Sequence, residues 1–264
     1  MTPATLTARR SAGAAAAVAA AALALAGCGP AASSASGSGG TSAPASGGTS
    51  TPGSTGVGVS GTSTFFPVAV GNTWVYAVKT IAGTGTSTDK MIAVTPVAGG
   101  QRVTMTTSVK DPGEGKLPLV SLAYIFHSDG SITIPVSELG TTGAKITTKS
   151  GSIIWPNAAE IASRQPHSDT VVLAVTVAGK TITYTEHVVV QGAGTATVTV
   201  PAGTFQTTVI DQTMTSKVNG YASDLEVRTW VATGVGPVKQ ELMDIAGSKT
   251  TITNTEELKS FTKG

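Results

Sequence analysis

Charge is scarce in this chain of 264 residues: Asp, Glu, Lys and Arg together make up 12%, and aromatic residues 5%. Cysteine occurs once and histidine three times. One cysteine excludes an intramolecular disulfide, so any folded domain is held by core burial alone. His127, His167 and His187 show neither the H-x-x-x-H nor the H-E-x-x-H spacing that sets two imidazoles on one ion, and no metal site is implied. A G-x-S-x-G elbow and an S-x-x-K pair are both missing, so no nucleophile and no catalytic residue is indicated. Asp224 and Glu226 share a strand face with Arg228, which reads as a neutralised surface stripe rather than an acid–base pair. Gly234-Val235-Gly236-Pro237 lacks the strand–loop–helix context of a phosphate loop. No cofactor is implied.

What is present begins at the N-terminus. Arg9 and Arg10 precede an alanine-rich apolar run from Ala14 to Ala26, which ends in Leu25-Ala26-Gly27-Cys28. A basic start, an apolar middle and small residues before a cut are the layout of a secretory signal. The apolar run is shorter than the roughly 20 residues that span a bilayer core, and Gly29-Pro30 ends any helix there. Leu25-Ala26-Gly27-Cys28 resembles the lipobox of bacterial lipoproteins. That resemblance implies a diacylglycerylated Cys28, cleavage before it, and a chain held on the extracytoplasmic face of the cell membrane through its N-terminal lipid. Without Arg9 and Arg10, 15 of the 17 basic residues remain against 15 acidic ones. A neutral chain has no electrostatic reason to seek nucleic acid.

Three segments are expected: a signal peptide over 1–27, the lipidated Cys28 with a disordered linker over 28–63, and one β domain over 64–264. The linker is rich in Gly, Ser, Ala, Thr and Pro and carries neither charge nor aromatic, so it cannot bury enough apolar surface to offset its ordering entropy. A coil of that length and composition spans roughly 30–35 Å. Beyond it, β-branched runs alternate with turn signals. The pattern predicts strands at Thr73–Thr80, Thr86–Pro96, Gln101–Lys110, Leu117–His127, Ser131–Pro135, Thr170–Ala178, Thr181–Val190, Gly194–Val200, Thr204–Lys217, Tyr221–Ala232, Pro237–Ala246 and Lys249–Glu256. Ser128-Asp129-Gly130, Ala98-Gly99-Gly100, Ala178-Gly179-Lys180, Val218-Asn219-Gly220 and Gly192-Ala193-Gly194 read as the turns between them. One short helix is expected over Asn157–Ala162, after Pro156. In Thr181–Val190 the residues Ile182, Tyr184, Val188 and Val190 share one face, which Glu186 interrupts. The fold class is therefore all-β with one short helix: a long antiparallel meander forming a curved sheet, a half-barrel or a barrel.

Three pieces recur in order: Phe65-Phe66-Pro67 leading to Gly71-Asn72-Thr73-Trp74-Val75-Tyr76, then Val200-Pro201-Ala202-Gly203-Thr204-Phe205, then Trp230 through Gly234-Val235-Gly236-Pro237-Val238-Lys239. Together they resemble a group of uncharacterised secreted and lipid-anchored bacterial β-domains, which implies long antiparallel strands and lends no catalytic residue. Trp74, Trp155 and Trp230 are expected in the core, with a ligand platform as the competing role. Functionally, the expectation is a non-catalytic binding module for an apolar or envelope ligand on a Val/Ile-rich concave face. A structural or interaction protein of the envelope and an unrecognised hydrolase are the alternatives. The ligand-binding residues are not legible.

Overall fold

Alternating apolar and polar residues joined by tight turns dictate hairpins, and hairpins in series make a meander. The computed structural model describes residues 65–264, apart from 82, 112–114, 117–118, 135, 137–143, 178, 219–220 and 247–248. The signal segment, Cys28 and the linker lie outside the described residues. The first strands are β1 (Thr73–Thr80), β2 (Gly83–Val97), β3 (Gly100–Asp111), β4 (Gly115–Lys116), β5 (Val120–His127), β6 (Ile132–Ile134), β7 (Ala144–Ser150) and β8 (Ile153–Trp155). Helix α1 (Ala158–Ser163) follows. Then come β9 (His167–Val177), β10 (Lys180–Val200), β11 (Gly203–Val218), β12 (Tyr221–Ala232), β13 (Gly236–Ala246) and β14 (Lys249–Thr262).

All these strands join one antiparallel sheet in the order β7-β9-β10-β11-β12-β13-β14-β1-β2-β3-β5-β6-β8, with β4 paired to β3. The meander has one long-range join, β14 beside β1, which brings the two ends of the domain together; there Gly264 donates its N–H to Asn72 Oδ1. The sheet is curved, and its hydrogen-bonded order is not closed into a barrel. Its two edge strands, β7 and β8, are nonetheless consecutive, separated only by Gly151-Ser152. The inner face buries Trp74, Tyr76, Met91, Val103, Phe126, Ile153, Trp155, Leu173, Val188, Ile210, Val227 and Leu258. The outer face carries threonine rungs, such as Thr176–Thr181 at 2.8 Å and Thr199–Thr204 at 3.0 Å.

Several boundaries differ from expectation, each for a physical reason. Gly192-Ala193-Gly194 is no turn: β10 runs unbroken for 21 residues, with a bulge between Gly192 and Gly194. Helix α1 seats on that bulge, since a Cβ on Gly192 would collide with the backbone of Ile161. Strands β7 and β8 were not expected. β7 has Ile146 as its one aliphatic core residue and β8 is only three residues long, so neither shows an alternation to read. β9 starts at His167 rather than Thr170, and β14 continues to Thr262. Ile182 is half exposed because β10 starts five residues before its first β11 partner, Thr185. The helix is as expected within a residue, with Asn157 capping Ala159 and Glu160 while Glu160 reaches back to the Asn157 N–H.

Candidate functional site

The alternation that turns Trp74, Tyr76 and Val78 inward also buries polar residues. Asp89 and Ser87 of β2, Gln240 of β13, Glu256 of β14, Glu186 of β10 and Gln212 and Ser216 of β11 all lie in the interior, each under 10% exposed. They form a band across the inner face. Near β1, Tyr76 pairs with Ser87, Trp74 with Asp89, and Glu256 with Gln240. Near β10, Glu186 pairs with Ser216, and Gln212 lies opposite Val190.

Asp89 accepts from Thr107 at 2.7 Å. Burial pushes its pKa up to about 7, against the weaker downward pull of the Thr107 bond. Burial likewise raises Glu186 to about 7, opposed by a hydrogen bond from Ser216. The Tyr76 phenol donates to the carbonyl of Pro237 at 3.2 Å. Its pKa rises well above the ordinary value through burial first, then through the Asp89 and Glu256 carboxylates. Tyr184 is shifted the same way by burial and by Glu186.

Much of this band is not satisfied by protein. Ser87 Oγ, Tyr184 Oη, Glu186 Oε2, Gln240 Oε1 and both amide atoms of Gln212 are buried with no hydrogen-bond partner among the described residues. Leaving one such atom unpaired costs about 1–3 kcal/mol. Native interiors rarely leave such atoms unpaired, which makes this band the candidate site for hydrogen bonds from outside the chain. The arrangement offers hydrogen bonds from amides, hydroxyls and phenols, and two carboxyls that exchange protons near neutrality. The concave face is therefore not uniformly apolar.

The residues singled out in the sequence go elsewhere. His127 bonds Thr133 Oγ1 at 2.8 Å beside a hairpin in which Asp129 accepts from Ser131; those bonds hold the Asp129 carboxyl below its usual range. His187 is exposed and meets Thr170 at 3.2 Å, while Glu186 points inward, as neighbours on a strand must. His167 approaches Asp169 at 3.4 Å. Among the described residues no three His, Cys, Asp or Glu side chains gather as a metal set. Arg228 neutralises chiefly Asp211, at 2.6 and 2.9 Å across β11–β12, and reaches Glu226 only at 3.7 Å; Asp224 accepts from Thr215 instead.

The three motif pieces turn out to be fasteners. Trp74 donates its indole N–H to Val235 at 2.6 Å and stacks on Phe261 at 5.1 Å. Gly236 lies against Phe66 and Trp74, and Ala202 donates to the carbonyl of Leu258 at 2.8 Å. Gly234 is needed for its positive φ of 71° rather than for space. Trp74 and Trp155 are core residues, while Trp230 is half-buried under the Lys239 ammonium, 4.8 Å from its ring. Asp89, Gln212 and Gln240 are not singled out by the sequence, and Glu186 stands out there only as an interruption of an apolar face. Their one signal was polarity inside an apolar alternation, visible at Glu186 and again in Ile210-Gln212-Met214.

A search of curated proteins finds no significant match. Among solved structures the chain is similar to a putative lipoprotein of Parabacteroides distasonis, at 17% identity and a TM-score of 0.57, covering 76% of this chain and 99% of that one. It is similar to a putative exported protein of Bacteroides fragilis with a YmcC-like fold, at 17% identity and a TM-score of 0.54, covering 76% and 100%. At such identity the likeness is one of fold. The DUF3108-like family matches residues 71–254, most of the curved sheet, and the chain belongs to that family.

Proposed function

We propose that this chain is a non-catalytic binding module of the cell envelope, tethered through Cys28, whose curved sheet takes a ligand into its interior. The observation that carries the reading is the band of buried polar atoms with no hydrogen-bond partner among the described residues: Ser87 Oγ, Tyr184 Oη, Glu186 Oε2, Gln240 Oε1 and the Gln212 amide. Buried apolar residues share the face with these groups, Leu173 opposite Tyr184 and Val188 two residues from Glu186, so the interior suits a ligand with an apolar body and a hydrogen-bonding head. The lipobox-like Leu25-Ala26-Gly27-Cys28 supports the tether. The printed descriptions of the two structural neighbours, one a putative lipoprotein and one a putative exported protein, agree with an extracytoplasmic setting. The purified full-length protein is expected to show, by native mass spectrometry, a bound molecule that leaves on denaturation. A native mass equal to that of the acylated chain alone overturns the binding reading and leaves an envelope scaffold. Replacing Cys28 with Ala is expected to move the protein from the membrane to the soluble fraction; persistent membrane association overturns the tether.

A further inference from the structure

Resting on the binding reading above, we propose that Gln212 recognises a carboxamide-type head on the bound ligand. Such a head carries an N–H donor and an oxygen acceptor side by side, as a primary amide or a lactam does. Gln212 is 2% exposed, and neither its Oε1 nor its Nε2 has a hydrogen-bond partner among the described residues. Its immediate neighbours offer none. Ile210 and Met214 flank it on the same face of β11, Val190 stands opposite on β10, and Val227 stands opposite on β12. All four are apolar and buried. The adjacent charges are turned to the other face and satisfy each other, Arg228 bonding Asp211 at 2.6 and 2.9 Å. The buried hydroxyl of Ser216 is four residues along β11 and bonds Glu186. Thr229 faces Ile210, and its hydroxyl accepts from Gln240 at 3.1 Å.

A carboxamide has an acceptor and two donors, and polar groups in native interiors are paired. With apolar residues on all four sides, the pairing falls to a group from outside the chain, and that group must answer both ends of the amide. An ester or an ionised carboxylate only accepts, and leaves Oε1 facing another oxygen; an ammonium only donates, and leaves Nε2 unpaired. A single hydroxyl offers one oxygen to both atoms, with poor alignment at each. A head with donor and acceptor side by side forms two parallel hydrogen bonds, its N–H donating to Oε1 and its oxygen accepting from Nε2.

Hexanamide and methyl hexanoate share a chain and a carbonyl, and differ in the N–H donor. Titrated into the full-length isotope-labelled protein near neutral pH, hexanamide is expected to shift the side-chain amide resonances of Gln212. It is expected to bind about tenfold more tightly than methyl hexanoate, the factor for one hydrogen bond whose loss leaves a buried acceptor unpaired. Gln212→Met and Gln212→Leu keep the bulk of the side chain and lose both polar atoms. Each is expected to abolish the preference, and at least one to melt at or above the wild-type temperature without ligand, because two unpaired buried groups are gone. Equal binding of the two probes, a preference kept by the variants, or Gln212 side-chain resonances that hexanamide leaves unmoved in the wild type overturns the assignment. So does ligand-free melting well below wild type in both variants, which would show the carboxamide satisfied within the fold. A bound molecule without such a head, found by native mass spectrometry, leaves the binding reading standing and removes this inference. No bound molecule and no resonance moved by either probe removes both.

Discussion

Asp89 concentrates the physics of the interior in one side chain. Its carboxyl titrates near 7 because burial penalises the charged form, and Glu186 is lifted to about 7 for the same reason. Both values are raised above those of the unfolded chain, so between the ordinary carboxylate range and about pH 7 the folded state keeps protons that the unfolded state releases. Stability is then full below that window, falls as pH rises through it, and levels off above it. Each pKa unit is worth about 1.4 kcal/mol, which makes the loss of order a few kcal/mol per group. Asp89→Asn keeps an acceptor for Thr107 and cannot ionise. The variant is expected to match the wild type in urea near pH 4 and to exceed it near pH 8. Urea midpoints displaced equally at both pH values would show that burial does not govern this carboxyl. Side chains of this kind are the least legible from sequence. Alternation places Glu186 on the inner face, but its consequence depends on what lies across the sheet. Arg228 shows the same limit: its stripe was visible within β12, while its main partner, Asp211, belongs to β11 and is found through the register.

At the scale of elements, most strands were legible because β-branched alternation and Gly-containing turns coincide. The exceptions cluster where one signal serves two purposes. Gly192-Ala193-Gly194 has turn composition, yet its glycines serve close packing and a positive φ of 107° at Gly194. Gly192 admits the backbone of Ile161, and Arg164 lies beside Gly194. Gln191 donates to the carbonyl of Arg164 at 2.8 Å, locking the end of α1 onto β10. A strand of 21 residues is well beyond the usual 3–10, and the bulge lets it bend around the core. Gly192→Ala is expected to force α1 away from the sheet and cost about 1–3 kcal/mol, the range for overpacking a filled site. Thermal unfolding measures that loss, and a melting temperature within a degree of wild type would place the helix farther from β10. Asn157→Ala removes only the cap and should cost about 1 kcal/mol, so the pair separates docking of the helix from its formation.

The whole molecule poses the problem of an open sheet that does not leave its edges bare. Exposed edges invite pairing with other chains. Here the chain passes from β7, paired with β9, through Gly151-Ser152 into β8, paired with β6, so one continuous segment supplies both edges. The gap between β8 and β9 is bridged by a side chain rather than a ladder: Asp169 Oδ2 accepts the Ile154 N–H at 2.7 Å. Helix α1 fills the connection from β8 to β9 and buries Ile161. The carboxylate therefore stands in for one rung of a missing strand pair. Asp169→Ala leaves the Ile154 N–H without its acceptor, at a cost of about 1–3 kcal/mol. Asp169→Asn retains an acceptor oxygen and should lose much less. The effect ought to be local, since β10–β11 holds fifteen paired positions of its own. In Asp169→Ala, hydrogen exchange is expected to speed at Ile153–Trp155 while β10 and β11 keep their protection. Uniform acceleration across the sheet would mean that the seam governs global stability. Unchanged exchange at Ile154 would mean that β8 is held by β6 alone, and that the curved sheet keeps its shape without the bridge.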